Sequence, residues 1–319
     1  MKKRIMILGS SGFVGYNFLV RSKILDDFNI TAIYFKNYPK KIFNRNINYL
    51  KADLRDPKIC DSLFKKFDVV LNFAGVLMSS LKLKNNPNAG INDNFLINSN
   101  ILNSLKFNPP SKYIWLSSTT GYPDFNKSLI EEQYFTNLVA ERYEIVGNLY
   151  RSIERLTKST LTDSCKIITL RPTAIYGEYD DFREDSAHIL PKIINQICSN
   201  TLPLKIFADK NELRNWLYVG DLVAAIDCLI LNYNKNIELN LGSKQSTSMA
   251  NLYKKIFKVS GSEDKYELHA TKDYHGKALA RRISCTKSMK LIGNYNSTTL
   301  EDGIERTYKW FKLRFKNKI

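Results

Sequence analysis

The first twenty residues constrain the fold more than any other stretch. Residues 4–8 (Arg-Ile-Met-Ile-Leu) form a short apolar run of β character, Gly9-Ser-Ser-Gly12-Phe-Val-Gly15 follows at once, and residues 16–20 (Tyr-Asn-Phe-Leu-Val) continue with a helical pattern. Between a strand and a helix, three glycines acquire separate tasks. Gly9 permits the tight turn off the strand, Gly12 lets a pyrophosphate approach the backbone at the helix N-terminus, and Gly15 lets the helix pack close to the sheet. Ser11, Phe13 and Val14 complete this candidate dinucleotide loop. The plain alternative is a flexible turn, which the position between a strand and a helix disfavours.

The rest of the first half repeats the alternation. Residues 29–35, 46–52, 68–74 and 113–117 read as strands. Residues 56–67, opened by Asp-Pro, and 92–107, closed by Asn108-Pro-Pro110, read as helices. A long helix over 141–162 precedes a strand over 166–170. Repeated β–α alternation predicts an α/β fold with a doubly wound parallel (Rossmann) sheet. After Tyr176-Gly177 the alternation breaks. The expected division is a dinucleotide-binding domain over 1–177, with segments near 215–245 returning to it, and a smaller C-terminal substrate lobe over 178–319.

Composition narrows the partners. The chain has 319 residues and a formal net charge of +17. No long basic block interleaved with aromatics occurs, so solvated lysines and an anionic nucleotide ligand explain the charge better than nucleic acid does. Five scattered cysteines without a C-x-x-C pair argue for reduced thiols in the cytoplasm and against a disulfide or zinc framework, so no metal is expected. The apolar run after Met1-Lys-Lys-Arg stops at Gly9, too early for a signal peptide. No stretch is long enough to cross a bilayer.

The end of the second strand sorts the cofactor. An acidic residue about 20 positions beyond the loop binds the ribose hydroxyls of NAD, whereas a basic one favours the 2′-phosphate of NADP. Here the chain reads Tyr34-Phe35-Lys36-Asn37 with no carboxylate. NADP(H) is therefore preferred, with NAD(H) the alternative; Lys36 is either the phosphate contact or one more surface lysine.

Further motifs follow in order: Asp53-Leu54, Asn72-Phe73-Ala74-Gly75, Ser117-Ser118-Thr119-Thr120-Gly121-Tyr122-Pro123, Arg171-Pro172-Thr173-Ala174-Ile-Tyr-Gly177, Asp181-Phe182 through His188-Ile-Leu-Pro191, and Leu213-Arg214 through Asp221. With the G-x-x-G-x-x-G loop, they resemble the extended short-chain dehydrogenase/reductase family, and within it the GDP-fucose synthase branch of sugar-nucleotide reductases. The resemblance covers nearly the whole chain and implies a homodimer acting on a nucleotide-diphosphate sugar. It places Asp53 and Leu54 on the adenine, and Phe73, Ala74 and Gly75 along the middle of the cofactor. Ser117, Pro172 and Thr173 lie by the nicotinamide. Ser118, four residues before Tyr-Pro, holds the sugar oxygen that is or becomes a carbonyl. His188 is the acid/base histidine, a residue suited to proton transfer near neutral pH. Thr119, Phe207, Arg214 and Arg282 contact substrate, with Arg214 gripping the diphosphate. Residues 271–287 and 300–310 match closing segments of the branch.

Two departures bear on mechanism. The branch carries a cysteine two residues after the catalytic serine as partner in epimerisation; Thr120 stands here, and a hydroxyl is far too weak an acid to replace a thiol as base. The family's Y-x-x-x-K is also degenerate. Val146-Gly147 through Tyr150 and Glu154 occupies its register, with Val146 in the tyrosine seat and Tyr150 in the lysine seat. Reading Tyr150–Glu154 as the motif places an anion where a cation is needed. Tyr143 and Tyr150, about two turns or roughly 10.5 Å apart on one helix, are the candidate phenols. The expected activity is that of an NAD(P)-dependent oxidoreductase or epimerase of a nucleotide-diphosphate sugar, foremost reduction of a 4-keto-6-deoxy sugar, for surface polysaccharide. The rival is a catalytically degenerate dinucleotide or sugar-nucleotide binding protein, and a basic nucleic-acid binder is a distant third.

Overall fold

The computed structural model describes residues 2–39, 46–78, 86, 88–124, 128–183, 186–200, 209–263 and 282–316. In chain order its strands are β1 (Lys3–Leu8), β2 (Phe28–Tyr34), β3 (Ile47–Lys51), β4 (Val69–Asn72), β5 (Lys112–Leu116), β6 (Lys166–Pro172), β7 (Ala174–Tyr176), β8 (Leu213–Arg214), β9 (Trp216–Tyr218), β10 (Ile237–Leu241) and β11 (Thr247–Ser248). The helices are α1 (Phe13–Arg21), α2 (Pro57–Leu63), α3 (Ile91–Phe107), α4 (Glu144–Leu161), α5 (Ile189–Cys198), α6 (Val219–Asn232), α7 (Met249–Ser260), α8 (Thr286–Ile292) and α9 (Leu300–Lys316).

Seven strands form one sheet in the order β10-β6-β5-β4-β1-β2-β3, every pair parallel. The order reverses between β1 and β4, which opens the crevice where such sheets bind ligands. Side chains alternate across β1: Ile5 and Ile7 join a core with α1 and α6, while Met6 and Leu8 face α2, α3 and α4. Both faces are covered, so the strands read as nearly continuous apolar runs. A third core gathers β7, β9, α5, α7 and α9, and holds Tyr176, Trp216, Tyr218, Leu252 and Ile304. Two short pairings, β7 with β9 and β8 with β11, position the chain beyond residue 172.

Several boundaries differ from the sequence reading for local reasons. β4 stops at Asn72 because the Asn72 Oδ1 accepts the Ala74 N–H at 3.0 Å and turns the chain. The helix expected over 56–67 spans Pro57–Leu63 behind an Asp56 cap, and Lys66 at φ 55° takes the chain out of helical geometry. The helix expected over 141–162 begins at Glu144: residues 141–143 form a 3-10 turn, and Tyr143 at φ −120°, ψ 13° stands ahead of the helix. Tyr143 and Tyr150 therefore do not share a helical face in the expected way. Phe207 and residues 271–281 lie outside the described residues.

One buried ion pair fastens the carboxyl edge of the sheet. Arg171, at the end of β6, donates from Nε and Nη2 to the two oxygens of Glu154 on α4, at 2.9 and 2.7 Å, and both side chains are at most 4% exposed. The Ser117 hydroxyl, just past β5, donates to the same carboxylate. The Tyr134 ring lies 3.7 Å beneath the guanidinium, which also donates to the Glu131 carbonyl at 3.1 Å. Arg171→Met strands the Glu154 charge and should cost about 3–5 kcal/mol of stability. Arg171→Met/Glu154→Met should cost less than the sum of the two single changes. Urea denaturation of the four proteins checks this; additive losses contradict it.

Candidate active site

The glycine loop lies at the switch point between β1 and β4. Gly9 has φ +72°, and a Cβ there would come within 2.7 Å of the Phe73 carbonyl and the Ala74 nitrogen. The loop after β1 and the turn after β4 thus touch. Ser10 is buried and ties the loop to β2 through the Ile33 carbonyl. Gly12 precedes α1 without a side-chain cap, and the first turn of α1 carries no acid. The helix N-terminus therefore keeps its amides and positive end for an anion. Phe13 reaches the third core and Val14 the first, while Ser11 stays partly open. These residues fit the pyrophosphate of a dinucleotide. The turn Asn72–Gly75 is held from α3, a contribution that sequence reasoning missed. Asn94 bonds both Val76 backbone groups at 2.9 Å, and Asn98 accepts from Asn72 at 3.0 Å.

At the other end of the crevice, Asp53 is partly open and Leu54 is buried. Arg55, which sequence reasoning did not single out, bonds both Asp53 oxygens and reaches Asp93 at 3.1 Å. Hydrogen bonding from Arg55 holds the Asp53 carboxyl below the usual range, helped by the nearby charge of Lys36. Lys36 is exposed, and both its ammonium and the Arg55 guanidinium lie over the Phe35 ring, at 5.8 and 5.1 Å.

Beyond β5 the chain folds into a 3-10 turn, Thr119–Gly121. The Ser118 oxygen accepts from the Thr120 backbone N–H at 3.1 Å and the Thr120 hydroxyl at 2.9 Å, so its own proton remains available to a ligand oxygen. Thr119 donates to the Pro172 carbonyl at 3.3 Å, and Thr173 to Asn215 at 3.0 Å, joining the ends of β5 and β6 and the approach to β9. Helix α4 presses on this turn at Gly147, where a Cβ would fall 2.6 Å from the Thr120 carbonyl oxygen. That places the start of α4, with Val146, against the turn carrying Ser118. Burial alone raises the Tyr150 pKa. Glu154 is not the cause expected from the sequence, because Arg171 and Ser117 hold its carboxylate inward.

The C-terminal lobe contributes a charged group. The Glu212 carboxylate, 2% exposed, accepts from Arg214 Nε at 2.7 Å and from Arg142 Nη1 at 3.1 Å. Burial pushes its pKa up, but the two guanidinium groups prevail and hold it below the usual range. His188 flanks the start of α5. The residue as a whole is exposed, but groups packed around its ring desolvate it and lower its pKa; the Asp181 carboxylate opposes this shift and the Arg214 guanidinium adds to it. Asp181 is itself held at about 2, because bonds from Arg183 and Ser186 outweigh its burial. Arg282 is exposed, its carbonyl accepting from Leu129 N–H at 2.7 Å. Among the described residues no hydrogen bond joins Ser118 to His188 or Arg214. The structure thus brings Ser117, Ser118 and Thr119 to Pro172 and Thr173, and His188 to Arg214, as two groups.

Comparison with known proteins gives this geometry a context. A family model described as the NAD dependent epimerase/dehydratase family matches residues 5–242. GDP-L-colitose synthase of Yersinia pseudotuberculosis is 25% identical, with 97% of each chain covered. GDP-L-fucose synthase of Escherichia coli K12 is 24% identical, over 69% of this chain and 73% of that one. The fold is also that of UDP-glucose 4-epimerase from Bifidobacterium longum, solved in complex with NAD+ and UDP, at a TM-score of 0.80, 18% identity, and 99% and 100% coverage. Among the described residues no helix is long and apolar enough to cross a membrane.

The His188 pKa is shifted downward, so its imidazolium gives up the proton at a lower pH than an unperturbed histidine does. Its NMR titration should have a midpoint below the ordinary value of about 6.5. Asp181→Asn should lower it further, and Arg214→Met should raise it. A midpoint at or above 6.5 in the unmodified protein contradicts this electrostatic account.

Proposed function

The chain belongs to the NAD dependent epimerase/dehydratase family, and on that footing we propose that this NAD(P)-dependent sugar-nucleotide enzyme reduces the 4-keto group of a nucleotide-diphosphate-linked 4-keto-6-deoxy sugar. NADPH is the preferred reductant. The observation that carries the reading is Ser118: a hydroxyl with its proton available, at the carboxyl end of central strand β5 and so on the same edge of the parallel sheet as the glycine loop. The likeness to the GDP-sugar synthases supports the substrate class. Thr120 in place of a thiol favours reduction without epimerisation.

The glycine loop with Ser11, Phe13 and Val14 holds the pyrophosphate. Asp53 and Leu54 take the adenosine end, Phe73, Ala74 and Gly75 line the middle, and Ser117, Pro172 and Thr173 flank the nicotinamide. Lys36 and Arg55, on one aromatic ring at the end of β2, favour a 2′-phosphate. NADPH, when bound, supplies the hydride. Ser118 hydrogen-bonds the carbonyl oxygen and polarises it. Tyr143, ahead of α4, delivers the proton that oxygen needs, because desolvation raises the pKa of the partly buried Tyr150 and among the described residues no cation lowers it. His188 is the acid/base group that orients the sugar, and Thr119, Arg214 and Arg282 bind the sugar nucleotide. Residues 1–177 with 215–245 form the cofactor half, and the remainder the substrate half. The exposed Phe95, Leu96, Phe107 and Ile145 of α3 and α4 give a second copy of the chain an apolar face to cover. Unpaired cysteines favour the cytoplasm.

The test is oxidation of NADPH with a panel of GDP- and dTDP-4-keto-6-deoxy sugars. At least one should turn over, more efficiently with NADPH than with NADH. Ser118→Ala and Tyr143→Phe should each lower kcat on the order of 10²-fold. Tight binding of cofactor and sugar nucleotide without turnover of any panel member overturns the reductase in favour of a binding protein. Full activity in Tyr143→Phe moves the proton donor to Tyr150, His188 or water.

A further inference from the structure

A serine hydroxyl has two lone pairs and one proton. Both lone pairs of Ser118 are taken by one neighbour: the Thr120 backbone N–H donates to the oxygen at 3.1 Å and the Thr120 hydroxyl at 2.9 Å. The first bond caps the 3-10 turn Thr119–Gly121 and would form with any residue that has a backbone N–H at position 120. The second depends on the side chain there. Capping therefore accounts for the backbone bond and leaves the Thr120 hydroxyl to be explained.

The surroundings hold both residues in place. The Tyr134 hydroxyl donates to the Ser118 backbone carbonyl at 3.0 Å. Helix α4 packs against the Thr120 backbone, where a Cβ at Gly147 would fall 2.6 Å from the Thr120 carbonyl oxygen. Thr120 is β-branched, which restricts the rotation of its hydroxyl arm. Both residues stay partly open, so the turn presents this hydroxyl pair instead of enclosing it.

With both lone pairs filled, Ser118 can only donate. A donor-only hydroxyl suits an oxygen that accepts and has no proton to give: a carbonyl, and still more the oxyanion a carbonyl becomes on reduction. It suits a sugar hydroxyl less, because the proton of that group finds no acceptor on Ser118. Donation from two groups also polarises the Ser118 O–H bond.

We propose that Thr120 is a positioning residue whose hydroxyl makes Ser118 a dedicated donor and so selects the keto form of the sugar over the hydroxyl form. The proposal rests on the reductase reading and adds to it a residue that acts wholly through Ser118. Thr120 moves no proton to or from the sugar.

Steady-state kinetics with NADPH and the keto sugar that the unmodified chain reduces, together with calorimetric binding of the corresponding 4-hydroxy product, test this. Thr120→Val keeps the branching and removes the hydroxyl. It should lower kcat on the order of tenfold, the size of one hydrogen bond to a group that gains charge, and it should tighten product binding, because Ser118 regains a lone pair for the sugar hydroxyl. Thr120→Ala, which introduces no new atoms, carries the same expectations, and Thr120→Ser should keep both values near those of the unmodified chain. In a Ser118→Ala background, Thr120→Val should change kcat by less than about twofold, since the group it acts through is gone. Unchanged kcat or unchanged product affinity in Thr120→Val, or an undiminished loss in the Ser118→Ala background, overturns the positioning role and leaves the reductase reading intact. An unmodified chain that reduces no keto sugar of the panel overturns both.

Discussion

The carboxyl edge of the sheet depends on the buried pairing of Arg171 with Glu154. An ionised carboxylate in a protein interior is costly unless its charge and lone pairs are satisfied. Glu154 meets that requirement through the two-pronged Arg171 contact and the Ser117 hydroxyl, and Arg171 is further matched by the Tyr134 ring and the Glu131 carbonyl. Strand β6, the end of β5, α4 and the turn around Tyr134 are consequently fixed relative to one another. Ser117 is spent inward, while its neighbour Ser118 keeps a proton for a ligand. The same pairing keeps the Glu154 charge away from Tyr150, whose raised pKa follows from burial alone.

Positive charge gathers at two places, Lys36 with Arg55 beside the Phe35 ring and Arg142 with Arg214 around Glu212. Each contains carboxylates that position the cations, Asp53 and Asp93 in the first and Glu212 in the second. Both places add to the excess positive charge of a chain whose formal net charge is +17.

The parallel sheet was legible because both of its faces are covered and each strand is a short apolar run. The glycine loop was legible because its spacing reflects steric needs that only glycine meets. The polar interior was much less visible. Asn94 and Asn98 lie four apart on α3 and mark its buried face, a signal present in the periodicity but not distinguishable there from a polar surface. Tyr134 beneath Arg171, and Arg142 across from Glu212, join residues 37 and 70 positions apart in sequence, and no local pattern announces such contacts. The start of α4 was misplaced by three residues because Glu141-Arg142-Tyr143 suits a helix as well as the 3-10 turn it forms.

Hydride transfer between a bound nicotinamide and a nucleotide-linked sugar is the central claim, and isotopic labelling tests it most directly. NADPH deuterated at the transferred position of nicotinamide C4 is incubated with the chain and a nucleotide-linked 4-keto-6-deoxy sugar, and the product is read by mass spectrometry and NMR. The account predicts one deuterium at sugar carbon 4. Recovery of the keto sugar without deuterium, while cofactor and sugar nucleotide are both bound, contradicts it.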